Sequence, residues 1–479
     1  MTARKSILFF LIPFAVSLIL HFRVFKMDLV GYHVWRQTQT QTVIYNFSFS
    51  DNNILHPRRF DITSGTTLLL YEFPLYQWTI AQYNNLCGYS VTHTRAITFI
   101  IFGIFLLGFY KLLRLFVSIE VALITNALIC FSPLLYYYCV NPLPDLLALC
   151  FSAWCLFFFF RFFATDKIIH LSLFGLFLTL ASLVKLPYIL FGGVAIPYFY
   201  NLVRQKNYTN IFKFMVVFVM LLPVALWYAM AVPTWGTNPV AGGMLGNNKT
   251  LIQLLDYLQF TIISSVPELL TNYASFVFLV TGIVIFFKRK LYSKAAVKYF
   301  SAVFILFGLY YLFEMNMIEK THDYYLMPFV LLIFLVVAAG VKAIFNSRYR
   351  LFVFFVVCLV PLTAWLRINT RWNLDSPGFN AGYMVNQQAL QEAVPPDGIC
   401  VVDNDESKFI ALYYLKRKGF SLGEGELNAE SLGKSYRKGA RYLVTENVNF
   451  DPGIYGEFNF TELYTGYPRI YHLSLKHEN

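Results

Sequence analysis

Charged residues are scarce in this chain of 479 amino acids. Asp, Glu, Lys and Arg together make up 13% of it, whereas an ordinary soluble protein has roughly 25%. Hydrophobic residues reach 57% and aromatic residues 19%. This composition excludes an intrinsically disordered chain and a freely soluble enzyme. It predicts an all-α membrane protein that crosses the bilayer many times.

The sequence also lacks the cysteine patterns that are typical of structural metal sites. Its seven cysteines show neither a CxxC pair nor metal-ligand spacing, and four lie inside apolar runs, where cysteine packs as a small hydrophobic residue. We therefore expect no disulfide framework and no resident cofactor. A divalent metal ion stays an open alternative, although no ligand cluster is evident. The first apolar run has no AxA cleavage site and is interpreted as a retained span.

The positive charge of the chain is unevenly distributed. The formal net charge is +12, but residues 371–479 carry 11 basic and 14 acidic side chains. The basic excess therefore lies in residues 1–370, where such side chains typically anchor cytoplasmic loops to anionic lipid. This distribution argues against nucleic acid as a partner and predicts contact with membrane lipid.

Eleven apolar segments approach the length of about 20 residues that a bilayer span needs. They lie at residues 6–22, 95–116, 119–138, 143–163, 169–185, 187–203, 212–232, 272–288, 297–315, 323–344 and 350–369. With the N-terminus in the cytoplasm, the inner loops hold seventeen Lys and Arg residues and the short outer loops hold three. An odd number of spans then places the C-terminal segment outside the cytoplasm.

Acidic side chains in residues 1–370 follow the opposite distribution. Of these twelve, only Glu120 and Asp166 fall on the cytoplasmic side, and none lies clearly in the middle of a span. An ion-coupled carrier places its carboxylates near the bilayer midplane. The sequence therefore predicts polar chemistry at the outer face of the membrane.

Two regions outside the spans have their own predicted structure. The first outer loop, residues 23–94, is rich in Trp and Tyr, which favours interfacial helices at 35–47 and 67–84. Residues 371–479 predict a small extracytoplasmic α/β domain next to the transmembrane domain at 1–370. Its predicted strands are 398–404, 441–446 and 467–475, and its predicted helices are 407–417 and 431–438.

A series of short motifs follows the chain in a characteristic order. They are 72–76 (EFPLY), Arg95, 132–133 (SP), Asp145, 183–187 (LVKLP), 226–228 (LWY), and 322–325 (HDYY) with Pro328. Their order resembles the GT-C superfamily of membrane glycosyltransferases. It most resembles the branch of dolichyl-phosphate-mannose protein mannosyltransferases and bacterial aminoarabinose-to-lipid-A transferases. The resemblance covers roughly residues 7–370 and implies a GT-C-like fold with an outer C-terminal domain.

One motif departs from that family. The Asp-Glu pair that usually opens the first interfacial helix, and whose Asp is the base, is replaced here by Arg36 and Gln37. The chain therefore resembles a sub-branch with the signature HxWRQxQT, at residues 33–40. The missing pair keeps a catalytically inactive scaffold among the alternatives.

The resemblance implies transfer of a sugar from a polyprenyl-phosphate donor to a glycan, lipid or protein acceptor at the outer face, with inversion of the anomeric centre. This reaction needs a base, an apolar groove for the lipid tail, and cations that stabilise the phosphate leaving group. We predict Arg36, Arg95 and Lys185 as these cations. Arg95 and Lys185 also fit basic side chains that reach the interface from the end of a span.

The family motif does not identify the base, so four candidates stay open: Glu72, Asp61, His33 and Asp28. Asp145 matches the second acid of the family and is predicted as a further catalytic-site residue. Most of these residues have a structural alternative or a cost. For example, His33 suits a hydrogen bond to backbone, Asp61 a turn cap with Thr63 and Ser64, and Asp145 the cap of the fourth span. We predict that further side chains line the cavity, namely Gln37, Tyr76, His322, Asp323 and Tyr324, although Asp323 also fits a helix cap.

The expected location is a bacterial inner membrane, with an extracytoplasmic site. The alternative function is a polytopic transporter or lipid flippase of the cell envelope. Such proteins are typically built from two related halves with broken spans. Because no internal repeat is evident in the sequence, we favour the glycosyltransferase.

Overall fold

The computed structural model describes residues 3–235, 249–290 and 295–476. The chain divides into two compact units. The first unit consists of Met1–Phe25, Leu70–Tyr76 and Thr94–Thr370, and the second of Lys26–Leu69, Gln77–His93 and Arg371–Asn479. From sequence we assigned the whole first outer loop to the transmembrane part. Most of that loop instead belongs to the same unit as the C-terminal segment.

Helices dominate the first unit and also occur in the second. In chain order the described α-helices are α1 (Ala3–Leu20), α2 (Val34–Phe49), α3 (Leu75–Cys87), α4 (Val91–Leu113), α5 (Ile119–Cys130), α6 (Pro133–Tyr138), α7 (Asp145–Thr165), α8 (Ile168–Val184), α9 (Ile196–Arg204), α10 (Tyr208–Lys213), α11 (Met215–Met220), α12 (Leu222–Trp235), α13 (Leu251–Phe260), α14 (Phe276–Lys288), α15 (Ala295–Ile318), α16 (Met327–Phe345), α17 (Arg350–Ile368), α18 (Gly382–Val385), α19 (Gln387–Ala393), α20 (Ile410–Leu415) and α21 (Ala429–Arg437). Among the shorter 3₁₀ segments, Leu186–Ala195 and Asp323–Leu326 matter for the site, and Thr261–Leu270 is wound as a π-helix.

Each of the eleven predicted spans contains an apolar helix. Within the described residues, seven helical stretches are long and apolar enough to cross a membrane: Val91–Leu113, Asp145–Thr165, Leu186–Arg204, Tyr208–Trp235, Val297–Ile318, Asp323–Phe345 and Arg350–Arg371. Four shorter apolar helices fill the other predicted positions: Ser6–Leu20, Ile119–Cys130, Ile168–Val184 and Phe276–Lys288. The predicted class, a polytopic helical membrane protein, is confirmed, and the total of eleven spans stays a prediction.

Close approach between α14 and α16 depends on two glycines. A Cβ atom at Gly340 would overlap the backbone carbonyl of Phe278, and one at Gly282 would overlap the carbonyl of Val336. Helices in lipid gain little from the hydrophobic effect when they associate, so backbone-to-backbone packing through small residues provides much of the attraction.

The first outer loop contains both predicted helices, with changes. The helix predicted at 35–47 is α2, and its polar residues 36–42 are all buried. The helix predicted from residue 67 begins only at Leu75. Pro74 disfavours helical backbone at the residue before it, and Leu68 forms a β-bridge with Arg58 instead.

The C-terminal segment of the second unit contains a five-stranded mixed sheet. Its strands are β1 (Cys400–Val402), β2 (Gly419–Ser421), β3 (Tyr442–Thr445), β4 (Phe458–Tyr464) and β5 (Arg469–Leu475), in the spatial order β2-β1-β3-β5-β4. β1 pairs in parallel with both β2 and β3, so the strand order reverses at the carboxyl end of β1. Two carboxylates follow these strand ends directly: Asp403 after β1 and Glu446 after β3.

Two strands of this sheet were not predicted. β2 is a Gly-Phe-Ser tripeptide whose first residue, Gly419, lies two positions after the helix predicted at 407–417. That helix is shorter than predicted because the backbone at Lys408 is left-handed (φ 61°), and α20 begins only after Phe409. β4 pairs only with β5 and lies at the sheet edge, where alternation between apolar and polar residues is weak.

Candidate active site

The predicted site residues are divided between the two units. Glu72, Tyr76, Arg95, Asp145, Lys185, His322, Asp323 and Tyr324 belong to the first unit, and Asp28, His33, Arg36, Gln37 and Asp61 belong to the second.

An ion pair between Lys185 and Asp145 is the centre of a polar cluster in the first unit. Asp145 is the first residue of α7, and Lys185 directly follows α8 with an extended backbone. The Lys185 Nζ atom lies 3.1 Å and 3.3 Å from the two carboxylate oxygens of Asp145. The side chains are only 14% and 2% exposed. A buried pair of this kind is strongly coupled, because removal of one partner leaves the other charge buried and uncompensated.

Three tyrosines and a second aspartate complete this cluster. The Lys185 Nζ lies 5.4 Å from the ring centroid of Tyr324 and 5.3 Å from that of Tyr325, so both rings face the ammonium group. The Tyr138 hydroxyl donates a hydrogen bond of 2.6 Å to Asp323. We use the name tyrosine–lysine cluster for Tyr138, Asp145, Lys185, Asp323, Tyr324 and Tyr325. From sequence we predicted four of these six residues; Tyr325 is the second residue of the YY motif, and Tyr138 ends a three-tyrosine run.

Three motif segments that are far apart in sequence meet in the first unit. The Phe73 N–H donates to the Leu183 carbonyl at 2.9 Å, and the Phe73 ring packs edge-on against Trp227. The Tyr228 hydroxyl lies 3.2 Å from the carbonyls of Ser182 and Leu183. Motifs 72–76, 183–187 and 226–228 therefore form one packed region. This region fixes the backbone at Lys185, and Glu72, which is partly buried, lies within it.

Arg95 is fully buried near the start of α4 and is engaged by the protein itself. Its guanidinium donates to the Val140 carbonyl at 3.0 Å and to the Asn141 side-chain oxygen at 2.7 Å. The Tyr76 hydroxyl, also buried, forms a 2.6 Å hydrogen bond with Thr98 on the same helix. These contacts give Arg95 a structural role, in which it holds the 140–141 backbone just before Asp145. Its predicted contact with phosphate stays a prediction.

His322 lies just before the 3₁₀ turn that carries Asp323. Its Nδ1 atom is 2.7 Å from the Met317 carbonyl, and its ring lies near those of Tyr324 and Tyr325. A hydrogen bond to backbone orients the imidazole. His322 therefore borders the tyrosine–lysine cluster, and its role in lining a cavity stays a prediction.

The second unit holds the predicted residues of the HxWRQxQT signature. His33 is the N-cap of α2 with a left-handed backbone (φ 56°), a conformation in which histidine is enriched among non-glycine residues. Arg36 is buried in the first turn of α2, and Gln37 donates to the Tyr32 carbonyl at 3.0 Å. Asp28 accepts hydrogen bonds from the Tyr413 hydroxyl at 3.0 Å and from the Leu29 N–H at 2.7 Å.

Asp61 has the contacts that we anticipated for a turn cap. Its carboxylate accepts from the N–H and the hydroxyl of Thr63, and Arg59 lies 3.6 Å away. Asp61 also forms a parallel bridge with Gly419. Nothing in these contacts assigns it a proton-transfer role, and its candidacy as a base stays a prediction.

An apolar cavity of about 480 Å³ lies among α8, the 3₁₀ segment Leu186–Ala195, α9 and α11. Ile189, four residues after Lys185, lines it, and the lining continues to Val203 near the end of α9. Within the part of the chain that the structure describes, His, Cys, Asp and Glu form no group of three or more suited to a metal ion. The metal alternative therefore gains no support from geometry.

These features define the class of the protein: a polytopic helical membrane protein with a separate mixed unit and a polar cluster at the ends of its apolar helices. Residues 72–235 match the family model described as dolichyl-phosphate-mannose-protein mannosyltransferase. This range contains Glu72, Arg95, Asp145, Lys185 and the 226–228 motif. Comparison with curated proteins by sequence finds no match.

Solved structures with the same fold come from several organisms. ArnT from Cupriavidus metallidurans bound to undecaprenyl phosphate is 11% identical, with a TM-score of 0.68 over 100% of this chain and 99% of that one. The oligosaccharyltransferase AglB from Archaeoglobus fulgidus is 11% identical, with a TM-score of 0.57 over 99% of this chain and 74% of its own. The mycobacterial arabinofuranosyltransferase AftD is 14% identical, with a TM-score of 0.55 over 98% and 40%.

The architecture shared with these structures confirms the predicted GT-C-like fold. The family model covers residues 72–235, less than half of the chain, and agrees with the expected class, a membrane glycosyltransferase. It does not favour the transporter alternative.

Proposed function

We propose that this protein transfers a sugar from a polyprenyl-phosphate donor to an acceptor hydroxyl at the outer face of a membrane. The observation that carries the proposal is the tyrosine–lysine cluster: a buried ammonium group, fixed by Asp145 and two aromatic rings, inside the segment that matches the mannosyltransferase family. ArnT and AglB have been solved with undecaprenyl phosphate and dolichol-phosphate, respectively, which supports a lipid phosphate as the ligand.

In this proposal Lys185 binds the donor phosphate. As the bond to the sugar breaks, negative charge grows on the phosphate, and an ammonium group already held in place stabilises that charge without reorganisation. Asp145 keeps the ammonium oriented, and the rings of Tyr324 and Tyr325 exclude water from it. Low water content strengthens the attraction between Lys185 and phosphate.

The apolar cavity between α8, α9 and α11 suits the isoprenoid tail. Its lining includes Ile189, four residues after Lys185, and is almost entirely hydrocarbon. A lipid whose phosphate is at Lys185 therefore has an apolar path along the neighbouring helices. The acceptor is a glycan, lipid or protein that reaches the site from the outer side.

The proposed location is the inner membrane of a bacterium, with the N-terminus in the cytoplasm and residues 371–479 outside. The excess of basic residues in the inner loops supports this orientation.

The test is donor turnover by the purified protein in detergent or nanodiscs. A panel of undecaprenyl-phosphate-linked hexoses and pentoses is incubated with the protein and a membrane lipid extract, and release of undecaprenyl phosphate is measured. Lys185→Met is expected to lower turnover by about 10²–10³-fold. Lys213→Met is the matched control, since Lys213 forms an exposed pair with Asp166 at 2.7 Å. Lipid flipping without release of undecaprenyl phosphate would favour the flippase alternative.

A further inference from the structure

A carboxylate that we did not select from sequence lies close to Lys185. Glu314 is in α15, four residues before the helix ends at Ile318, and is partly buried. Its Oε2 atom is buried and has no hydrogen-bond partner among the residues that the structure describes. α15 packs against the 3₁₀ segment Leu186–Ala195, which directly follows Lys185, and against Asp323–Leu326, which carries Tyr324 and Tyr325. Lys185 is within electrostatic range of the Glu314 carboxylate. Glu314 therefore borders the tyrosine–lysine cluster.

The preceding turn of α15 faces the same cluster. Tyr310, four residues before Glu314, is buried and within electrostatic range of Asp145 and Tyr325 as well as of Glu314. Residues four apart share one face of a helix, so Tyr310 and Glu314 are presented together. Glu319 differs, because its carboxylate is paired with Lys249 at 2.7 Å.

The charges named in this cluster do not balance. Among the residues named here, three carboxylates, those of Asp145, Glu314 and Asp323, lie in or beside the cluster, and Lys185 is its one named ammonium group. Lys185 bonds directly to Asp145, and Asp323 accepts the hydroxyl proton of Tyr138. Carboxylates among membrane-spanning helices are costly and mark functional sites by default. Of the three, Glu314 is the one with a buried oxygen atom available to a ligand.

We infer that Glu314 is the base that takes the proton from the acceptor hydroxyl; the inference rests on the function proposed above. The acceptor oxygen forms a bond to the anomeric carbon of the donor sugar, and its proton passes to Oε2 of Glu314. The bond between the anomeric carbon and the phosphate oxygen breaks at the same time. The electron pair of that bond leaves with polyprenyl phosphate, whose charge Lys185 stabilises.

The first experiment replaces Glu314 with the isosteric Gln. We expect Glu314→Gln to lower kcat by about 10²–10⁴-fold, the range that a positioned base contributes, and to change the KM for the undecaprenyl-phosphate donor by less than threefold. Glu314→Asp retains a carboxylate and is expected to recover part of the loss. Glu319→Gln is the matched control on the same segment and is expected to have wild-type kcat.

The second experiment separates proton transfer from charge balance. Sodium azide is a nucleophile without a proton, so it needs no base. With Glu314→Ala, azide is expected to raise the release of undecaprenyl phosphate at least tenfold and to produce the glycosyl azide. The wild-type protein is expected to show no such increase. If Glu314 only balances the charge of Lys185, azide will not raise the activity of the Glu314→Ala variant.

Two results would overturn the inference while the proposed function stands: wild-type kcat in Glu314→Gln, or no azide rescue in a Glu314→Ala protein with a wild-type melting temperature. Absence of undecaprenyl phosphate release by the wild-type protein from every donor of the panel would instead overturn the proposed function, and the inference with it.

Discussion

At the scale of single residues, a prediction about stability follows from the burial of the Asp145–Lys185 ion pair. Asp145→Asn leaves the Lys185 ammonium without its bonded partner, and we expect the free energy of unfolding to fall by about 3 kcal/mol. The measurement is denaturant unfolding in detergent. In the control, Asp166→Asn, the carboxylate is 58% exposed, and a surface pair contributes at most about 1 kcal/mol. Equal effects of the two variants would contradict this account.

Glu446, at the carboxyl end of β3, is expected to make the free energy of unfolding depend on pH. Burial, which is the largest cause, and the nearby carboxylates of Asp405 and Asp403 raise the pKa of Glu446 from 4.5 to about 7. The folded protein therefore holds this proton more tightly than the unfolded chain does. It follows that the free energy of unfolding decreases as the pH rises from about 4.5 to about 7 and is flat above that range.

Glu446→Gln removes this cost, because the amide stays neutral at every pH. At pH 8 we expect the free energy of unfolding of the variant to exceed that of the wild-type protein by about 1–2 kcal/mol. This figure is reduced because solvent reaches the partly buried carboxylate and screens it. The difference should narrow as the pH falls from 7 toward 4.5. Glu457→Gln, at an exposed position of the same unit, is the control. A difference that does not change with pH would contradict the assignment.

At the scale of elements, the packing of α14 on α16 depends on glycine. A methyl group at Gly340 collides with the Phe278 carbonyl, whereas a methyl group at Gly308 in α15 meets no atom within 4 Å. We expect Gly340→Ala to lower the free energy of unfolding by about 1–3 kcal/mol. Gly308→Ala should be neutral or slightly stabilising, since alanine favours the helix. Thermal unfolding of both variants in one detergent checks the prediction, which fails if they behave alike.

The elements that were predicted well from sequence are those with a strong hydrophobic periodicity or a long apolar run. The eleven apolar segments and α2 fall near their predicted positions because one chain segment alone determines them. The burial of residues 36–42, the β2 strand at Gly419 and the late start of α3 were not predictable in this way. Each depends on a distant partner or, for α3, on pairing between Leu68 and Arg58.

The same distinction applies to the site. The motif order identified Asp145, Lys185, Asp323 and Tyr324, and the structure brings these four together. Glu314 carries no motif, so its relation to Lys185 became visible only when α15 was positioned against the 3₁₀ segment that follows Lys185. The sequence also did not show that the Nη1 group of Arg95 donates to the Val140 carbonyl and the Asn141 side chain, because those contacts depend on a distant part of the chain.

At the scale of the whole molecule, the proposed orientation predicts which side chains react from outside the cell. Cys87 ends α3 in the first outer loop and is exposed. It should react with a membrane-impermeant maleimide on intact cells. With Cys87 replaced by Ser, Lys206→Cys should react only after permeabilisation, and Glu424→Cys in the C-terminal segment should react without it. Labelling of Lys206→Cys on intact cells would contradict the proposed orientation and indicate the opposite one.

The hydrogen bonds from Tyr413 to Asp28 and from Tyr414 to the Leu29 carbonyl join residues that are 385 positions apart. A ribosome that has just completed Leu29 must still synthesise almost the entire protein before these partners exist. The segment that contains Asp28 and Leu29 therefore reaches its final conformation only after the following apolar helices have been synthesised. Complete folding of the second unit therefore requires residues from both ends of the chain, and a chain truncated after residue 370 leaves Asp28 and Leu29 without these two partners.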